Sequence, residues 1–309
     1  MDLAADAAVE AILTEELARE TRALTAVVPV LRHLLSSEAQ ALVSDAVLAR
    51  VRGMIHDLAA QLLALRAGSD PAIRLPAHSI EASVLDPLAE QLMADEALLA
   101  HCHALAAESL IAERLQTRHA VDPVLSPLLQ ELIAAEDPAI ASLAMATLAG
   151  QSRFVQSQRR MELPLAELPA ELFHRLLAGV QSQMGDSEAA TRLQAGYDEA
   201  AGRLGLLARL VAAMRRGAVA ALGLDHAGVA LFASALAAAT RQPRAGVVLA
   251  CLDGQGLRLA LLLRAGGVDG RAAERQVMLA DPNGRPPRGL AEIAPAQAEA
   301  LLAGSGGGR

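Results

Sequence analysis

The chain has 309 residues, of which 53% are hydrophobic and 1% aromatic, and its formal net charge is −8. This length is typical of about two domains, and so high a hydrophobic fraction excludes a disordered chain. Because Ala and Leu dominate while aromatic residues are nearly absent, the composition disfavours an all-β sandwich or barrel. The sequence therefore predicts an all-α fold.

Composition also narrows the function. All 27 basic residues are Arg, because the sequence contains no Lys. This absence excludes a P-loop, a Schiff base to pyridoxal phosphate and a kinase-type lysine. The negative net charge disfavours a broad binding surface for duplex nucleic acid, because phosphates need clustered positive charge. The scarcity of aromatic rings disfavours binding of single strands, whose bases stack on such rings. We expect no nucleic-acid partner.

The first twenty residues, MDLAADAAVEAILTEELARE, carry six acidic residues and one Arg. A secretory signal needs a positive start and an apolar core, and this segment has neither. The longest weakly polar stretch, 227–240, is too short to cross a bilayer. We therefore predict a cytoplasmic protein without a membrane span.

The N-terminal region, residues 1–67, reads as a small bundle of two or three helices. Between positions 45 and 66 the large apolar residues recur at steps of three and four, which traces one stripe of an amphipathic helix. These residues are Val47, Val51, Met54, Ile55, Leu58, Leu62 and Leu65. A linker is predicted at 68–79.

Residues 80–180 read as a region of helix pairs. A long helix is expected from Leu88 to Arg118, and short helices are expected to begin at Pro123 and Pro138. Asp or Ser directly before Pro favours a helix start, because the first side chain caps free amides and Pro has no amide to lose. Six such dipeptides occur in the chain, at 70–71, 86–87, 122–123, 126–127, 137–138 and 281–282. At least four of them are expected to start helices, whereas Asp281-Pro282 is expected to open a loop.

Residues 185–302 form a predicted C-terminal helical region, with one helix expected from a cap at 185–187 through Arg216. The stretch 247–264 is open to two interpretations. Asp253-Gly254 is typical of a hairpin turn, whereas the following unbranched Leu residues favour helices, which we prefer. Residues 303–309 are expected to be a flexible tail. Together, successive short helices indicate stacked helix pairs, as in an irregular HEAT-like solenoid.

One motif suggests metal chemistry. His56-Asp57, with His33 upstream, resembles the HD metal-dependent phosphohydrolases, in which His and Asp ligands hold a divalent ion that activates water. However, His56 and Asp57 lie beside the apolar stripe, where charged groups normally face solvent. His33 would face residues near 41–47, which places it about 13–22 Å from His56 along the helix axis. A solvated helix face is the alternative, and we prefer it.

His101-Cys102-His103 is the densest local cluster of metal-ligand residue types. On a helix, neighbouring residues point in different directions. No acidic residue lies three or four positions from either His, so a di-iron arrangement is absent. We therefore expect Cys102 in the core with both His residues at its edges.

The segment 151–164 is a polar helix in an otherwise apolar protein. Its residues Arg153, Gln156, Arg159 and Arg160 form a candidate binding set. Arg153, Gln156 and Arg160 share one helix face, and a guanidinium fork suits carboxylate or phosphate groups. The alternative is a solvated face whose arginines offset the helix C-terminal dipole. A binding role predicts a protein partner with an acidic surface.

Two stretches, 149–177 and 253–282, are similar to an uncharacterised bacterial family of Ala/Leu-rich helical proteins, a domain of unknown function. They are AGQSRFVQSQRRMELPLAELPAELFHRLL and DGQGLRLALLLRAGGVDGRAAERQVMLADP. The resemblance implies a helical C-terminal third. It implies no activity and no catalytic residues.

The sequence thus predicts a non-catalytic helical protein that acts through protein–protein interaction, as an adaptor or regulator. No cofactor and no metal are expected. The enzyme alternative is an HD-like metal-dependent phosphohydrolase using His33, His56 and Asp57.

Overall fold

The computed structural model describes residues 3–36, 44–69, 77–184, 188–252, 256–281 and 289–305. It is 82% helical, and the described ranges contain no strand, so the predicted all-α class is confirmed. The α-helices are α1 (Leu3–Ser36), α2 (Asp45–Arg66), α3 (Ala82–Met93), α4 (Glu96–His119), α5 (Pro127–Ile133), α6 (Pro138–Arg159), α7 (Ala170–Met184), α8 (Glu188–Ala195), α9 (Arg203–Met214), α10 (Leu224–Thr240), α11 (Arg244–Ala250), α12 (Gly256–Ala265), α13 (Gly270–Ala280) and α14 (Pro295–Ser305).

The amphipathic stripe predicted for residues 45–66 is confirmed by α2, which has the same bounds. All seven stripe residues are buried. The helix begins after Ser44, whose hydroxyl accepts a hydrogen bond from the Val47 amide at 3.4 Å. Apolar spacing and a capping side chain together therefore determine this helix.

The capping dipeptides begin helices at two of the predicted positions. Ser126 caps α5 at Pro127, and Asp137 accepts a hydrogen bond from the Ala139 amide at 2.8 Å at the start of α6. The predicted helix start at Pro123 is wrong. The carboxylate of Asp122 binds the amides of Val124 and Leu125 in a turn, and the chain becomes helical only at the next dipeptide.

Two predicted helix bounds are wrong because polar side chains interrupt the helices. The helix expected over 88–118 is divided into α3 and α4 at Asp95, whose carboxylate caps the amides of Ala97 and Leu98. Pro87 lies inside α3 rather than at its start. The helix expected to run through Arg216 is divided into α8 and α9 by a turn. In that turn Asp198 accepts a hydrogen bond from the Ala200 amide.

In the C-terminal third, the helical interpretation of 247–264 is confirmed, since the described residues 247–250 lie in α11 and 256–264 in α12, with a turn at 251–252. The predicted hairpin turn at 253–254 lies outside the described residues. Asp269 caps α13, as expected, by accepting a hydrogen bond from the Ala272 amide at 3.1 Å. The tail predicted from residue 303 is wrong for its first residues, because α14 continues to Ser305.

The chain divides into two units. Unit 1 comprises residues 1–27, 107–145 and 210–309. Its helix α10 is buried without interruption from Ala227 to Ala237, and it packs against α5, α11, α12 and α13. A helix of this kind forms the centre of a core rather than a surface. Gly228 interrupts α10 with φ +66°, where the backbone approaches Ser126 closely.

Unit 2 comprises residues 28–106 and 146–209 and has α2 in its core. The helix packs against α3 and α7. Phe173 of α7 is buried and stacks on Tyr197, with ring centroids 3.9 Å apart. The hydroxyl of Tyr197 donates to the carbonyl of Leu168 at 2.8 Å, which holds the loop before α7.

None of the helices in the described ranges combines the length and apolar character that crossing a membrane requires. The arrangement of helix pairs as a solenoid and the linear division at 67, 79, 180 and 302 stay predictions.

Candidate functional site

The C-terminal half of α6 borders a cavity of about 370 Å³ in unit 2. We call it the arginine cleft, and its principal lining residues are Arg153, Phe154, Gln156, Arg160, Glu167 and Arg203. Its volume lies in the range of pockets that hold small ligands or single side-chain groups. The lining combines guanidinium groups, an amide and an aromatic ring. Such a lining can orient the acidic group of a ligand and pack against the apolar part of the same ligand.

The cleft brings together three of the four predicted binding residues. Arg153 and Gln156 occur at i and i+3 of α6 and project from the same side of the helix, and Arg160 follows at i+7, directly after the helix ends. All three side chains are exposed and line the cleft. Arg159 is exposed as well but does not line it. Helical spacing therefore separates Arg159 from the other members of the predicted set.

Arg203, the first residue of α9, is a cleft residue that sequence reasoning missed. Its side chain is only 3% exposed, and its guanidinium carbon lies 3.7 Å from the ring centroid of Phe154. The guanidinium group also donates to the Gln151 amide oxygen at 3.2 Å. A cation at a helix N-terminus opposes the helix dipole, and this unfavourable placement is the signal that could have drawn attention to Arg203.

Glu167 supplies a carboxylate to the rim of the cleft. One oxygen accepts the backbone N–H of Arg203 at 2.9 Å, and the other lies 3.7 Å from Nε of Arg153. The Arg153 side chain is 57% exposed, so this ion pair contributes little to stability. Arg153 can therefore exchange Glu167 for the carboxylate of a ligand at small cost.

Gln158 is a buried amide in the wall of the cleft. Its side chain is 2% exposed, and its Nε2 donates to the sulfur of Met54 at 3.3 Å. Its Oε1 has no hydrogen-bond donor among the described residues. Buried side-chain polar atoms in folded proteins nearly always have hydrogen-bond partners, so Oε1 is an exception in the wall of the cleft.

The turn after α6 closes the cleft. The Glu162 amide donates to the Ser157 carbonyl at 2.8 Å and the Met161 amide to the Gln158 carbonyl at 3.1 Å, which is the Schellman arrangement. The position with left-handed backbone is usually Gly, but here it is Met161, with φ +56°. This conformation costs a non-glycine residue about 1–2 kcal/mol. The fold therefore holds Met161 under strain at the edge of the site.

Gly53 of α2 allows this turn to pack closely. A Cβ at Gly53 would overlap Cβ of Met161 and would lie 2.9 Å from the Met161 carbonyl oxygen. We expect Gly53→Ala to destabilise the protein by about 1–2 kcal/mol, since overpacking against backbone outweighs the higher helix propensity of Ala.

Urea denaturation would measure this change. Gly179→Ala in α7 is the matched control, because no atom lies within 4 Å of the added Cβ. This variant should raise the free energy of unfolding by up to about 1 kcal/mol. Equal effects of the two variants would contradict the close packing of α2 on the turn.

The residues of the phosphohydrolase alternative have different environments. The expected solvated position is wrong for Asp57, which is 7% exposed. Its Oδ2 accepts hydrogen bonds from the Leu163 amide and the Gln61 side chain, both at 2.8 Å. The long turn after α6 covers this side of α2, which the apolar pattern of α2 alone could not reveal.

His56 is half-buried, and burial lowers the pKa of its imidazole, with Asp86 opposing and Arg52 reinforcing this shift. The side chain of His33 lies outside the described residues. Among the side chains that the structure describes, no group of three or more His, Cys, Asp or Glu residues could hold a metal ion. The phosphohydrolase alternative stays a prediction.

The cluster at 101–103 belongs to the core of unit 2. Cys102 is fully buried, as expected, and burial raises the pKa of its thiol to about 12. The expectation that His103 lies at the edge is wrong, because it is 4% exposed and burial lowers its pKa to about 4. Both groups are therefore neutral near pH 7.

No protein-family model, no curated protein and no solved structure matches this chain, so the support for a function comes from the geometry of the arginine cleft.

Proposed function

We propose that this chain is a non-catalytic cytoplasmic protein that acts as an adaptor or regulator, and that its arginine cleft binds an acidic segment of a partner protein. The observation that carries this proposal is the convergence of Arg153, Gln156 and Arg160 on one cavity. Guanidinium groups bind carboxylates through paired, charge-assisted hydrogen bonds, which are about twice as strong as neutral ones.

The groups behind the exposed arginines support binding rather than a solvated face. A solvated arginine face needs no cavity beneath it, whereas this one is backed by the Phe154 ring and the buried guanidinium of Arg203. Charged groups gain strength when water is excluded from their surroundings. An acidic side chain that enters the cleft would therefore bind more strongly than one that remains on an open surface.

The test is a double charge reversal. We expect Arg153→Glu/Arg160→Glu to weaken binding of an acidic partner segment by about a hundredfold, because two attractive groups become repulsive. The probes are synthetic peptides with a single Glu or Asp in a neutral background, measured by fluorescence polarisation. Partner capture from native cells with the same variants would then identify the protein that carries the segment.

The matched control is Arg159→Glu/Arg192→Glu. Both of these arginines are exposed in unit 2 and lie outside the cleft, so the net charge changes equally. Equal losses of peptide affinity in the two double variants would mean that binding depends on net charge alone, and would overturn the assignment of the cleft. Unchanged binding in Arg153→Glu/Arg160→Glu would overturn it as well.

A further inference from the structure

A second cavity of unit 2 lies beside the arginine cleft. It has a volume of about 680 Å³, and two of its lining residues, Arg160 and Glu162, also line the cleft. We call it the acidic cavity, and its polar lining residues are His56, Asp57, Asp86, Arg160 and Glu162, with Met161 beside them. The turn that ends α6 therefore borders two adjoining cavities.

The two cavities carry opposite charge. Arg160 and Glu162 line both cavities. Among the described lining residues that the cavities do not share, the acidic cavity has the carboxylates of Asp57 and Asp86 and no guanidinium group, whereas the arginine cleft has the guanidinium groups of Arg153 and Arg203 and the carboxylate of Glu167. His56 adds little positive charge near pH 7, since burial lowers its pKa. A ligand that occupies both cavities is therefore complementary if it is negative at one end and positive at the other.

Met161 contributes an exposed apolar side chain to this surface. Its side chain is 40% exposed and lines the acidic cavity, and its backbone has the strained left-handed conformation. Strained residues concentrate at functional sites, where the surrounding structure maintains them. An exposed thioether on a flexible side chain also adapts to the apolar surfaces of different partners. These properties suit a residue that a bound segment covers.

We infer that the partner segment is an extended peptide that crosses the turn 160–162, with its acidic side chain in the arginine cleft and a Lys or Arg side chain in the acidic cavity. The intervening residues cover Met161. This inference rests on the proposed function and specifies the partner by its charge pattern.

The first experiment compares peptides. Each contains one Glu in a Ser/Ala background, with Lys or its uncharged analogue norleucine at each of about four positions on either side. We expect Lys at the favoured position to bind wild type about threefold more tightly than norleucine, the size typical of a partly exposed charge pair. In the Asp86→Asn protein this preference should disappear, since Asp86 is the exposed carboxylate of the acidic cavity.

The matched control is Glu90→Gln, an exposed residue of the same helix α3 that does not line either cavity. It should keep the full preference for Lys. The proposed contact is measured by the difference between the Lys preference of wild type and that of Asp86→Asn. The same difference calculated with Glu90→Gln should be close to zero. An equal preference in all three proteins would overturn the inference, because the Lys would then respond to net charge only.

Met161→Ala tests the covered turn. It keeps the Cβ that packs on Gly53 and removes only the outer part of the side chain. We expect peptide affinity to fall about fivefold, because the exposed part of the side chain contacts the peptide, while the urea midpoint measures separately any packing lost in the free protein. Met145→Ala, which removes another exposed methionine of α6 outside both cavities, should leave affinity unchanged.

The experiments distinguish a failure of the crossing peptide from a failure of the proposed function. If Glu peptides bind and depend on Arg153 and Arg160 but ignore both the added Lys and Met161, the proposed function stands and the crossing peptide is wrong. If no Glu peptide binds and free carboxylates or inorganic phosphate bind instead, the cleft recognises small anions. That result would overturn both.

Discussion

Replacing Arg244 with Met is expected to lower the free energy of unfolding by about 3–5 kcal/mol, because it leaves a buried carboxylate without its counter-charge. Glu108 of α4 is fully buried, and its two oxygens accept hydrogen bonds from Arg244 at 2.7 and 2.8 Å. The guanidinium also donates to the Ser234 hydroxyl at 2.9 Å and to the Ala230 carbonyl at 3.2 Å. This network joins α4, α10 and α11 within unit 1.

Urea denaturation of two further variants distinguishes the charge from the packing. Glu108→Leu/Arg244→Met replaces the pair with apolar groups of similar volume and should recover most of the stability. Arg175→Met breaks the exposed ion pair with Asp95 and should cost only about 0.5 kcal/mol. If the double variant is as unstable as Arg244→Met alone, then lost packing rather than an uncompensated charge explains the effect.

This ion pair illustrates which parts of the fold the sequence could predict. The bounds of α2 and the starts of α5 and α6 depend on spacing and on capping side chains within a few residues, and both are visible in the sequence. Glu108 and Arg244 are 136 positions apart. No local pattern relates them, so neither stood out among the charged residues of the chain.

The candidate site was predictable to the same extent. The shared face of Arg153, Gln156 and Arg160 follows from helical spacing alone. The cleft itself also needs Arg203, which is 52 positions from its hydrogen-bond partner Gln151. The burial of Asp57 could not be predicted for the same reason, since the Leu163 amide that donates to its carboxylate lies 106 positions away. Local patterns predict which side chains share a face, whereas burial of that face depends on distant segments.

The second large effect is a dependence of stability on pH through Glu20. This carboxylate of α1 is 7% exposed and accepts the backbone N–H groups of Arg258 at 2.8 Å and Leu257 at 3.3 Å, in the first turn of α12. Burial raises its pKa to about 7, although the two hydrogen bonds and the charge of Arg258 oppose the shift. Burial therefore disfavours the carboxylate more than its partners stabilise it.

The direction of the effect follows from the two pKa values. Unfolded, Glu20 releases its proton near the ordinary value of 4.5, whereas in the folded chain it does so near 7. Between these values the folded chain holds a proton that the unfolded chain lacks, so raising the pH favours unfolding. At about 1.4 kcal/mol per pKa unit, the contribution of Glu20 falls by about 3 kcal/mol between pH 4.5 and pH 7 and then stays constant.

Glu20→Gln isolates the pH dependence of this contribution, because Gln stays neutral at every pH. Relative to wild type, its free energy of unfolding should rise by about 3 kcal/mol between about pH 4.5 and about pH 8, on top of a constant offset for the backbone N–H that the amide nitrogen cannot accept. Other titrating groups, His103 among them, are present in both proteins and cancel. Glu10→Gln, an exposed change on the same helix, should show no such trend. A constant difference between wild type and Glu20→Gln would mean that the first turn of α12 compensates fully for the burial of the carboxylate, and the raised pKa would then be wrong.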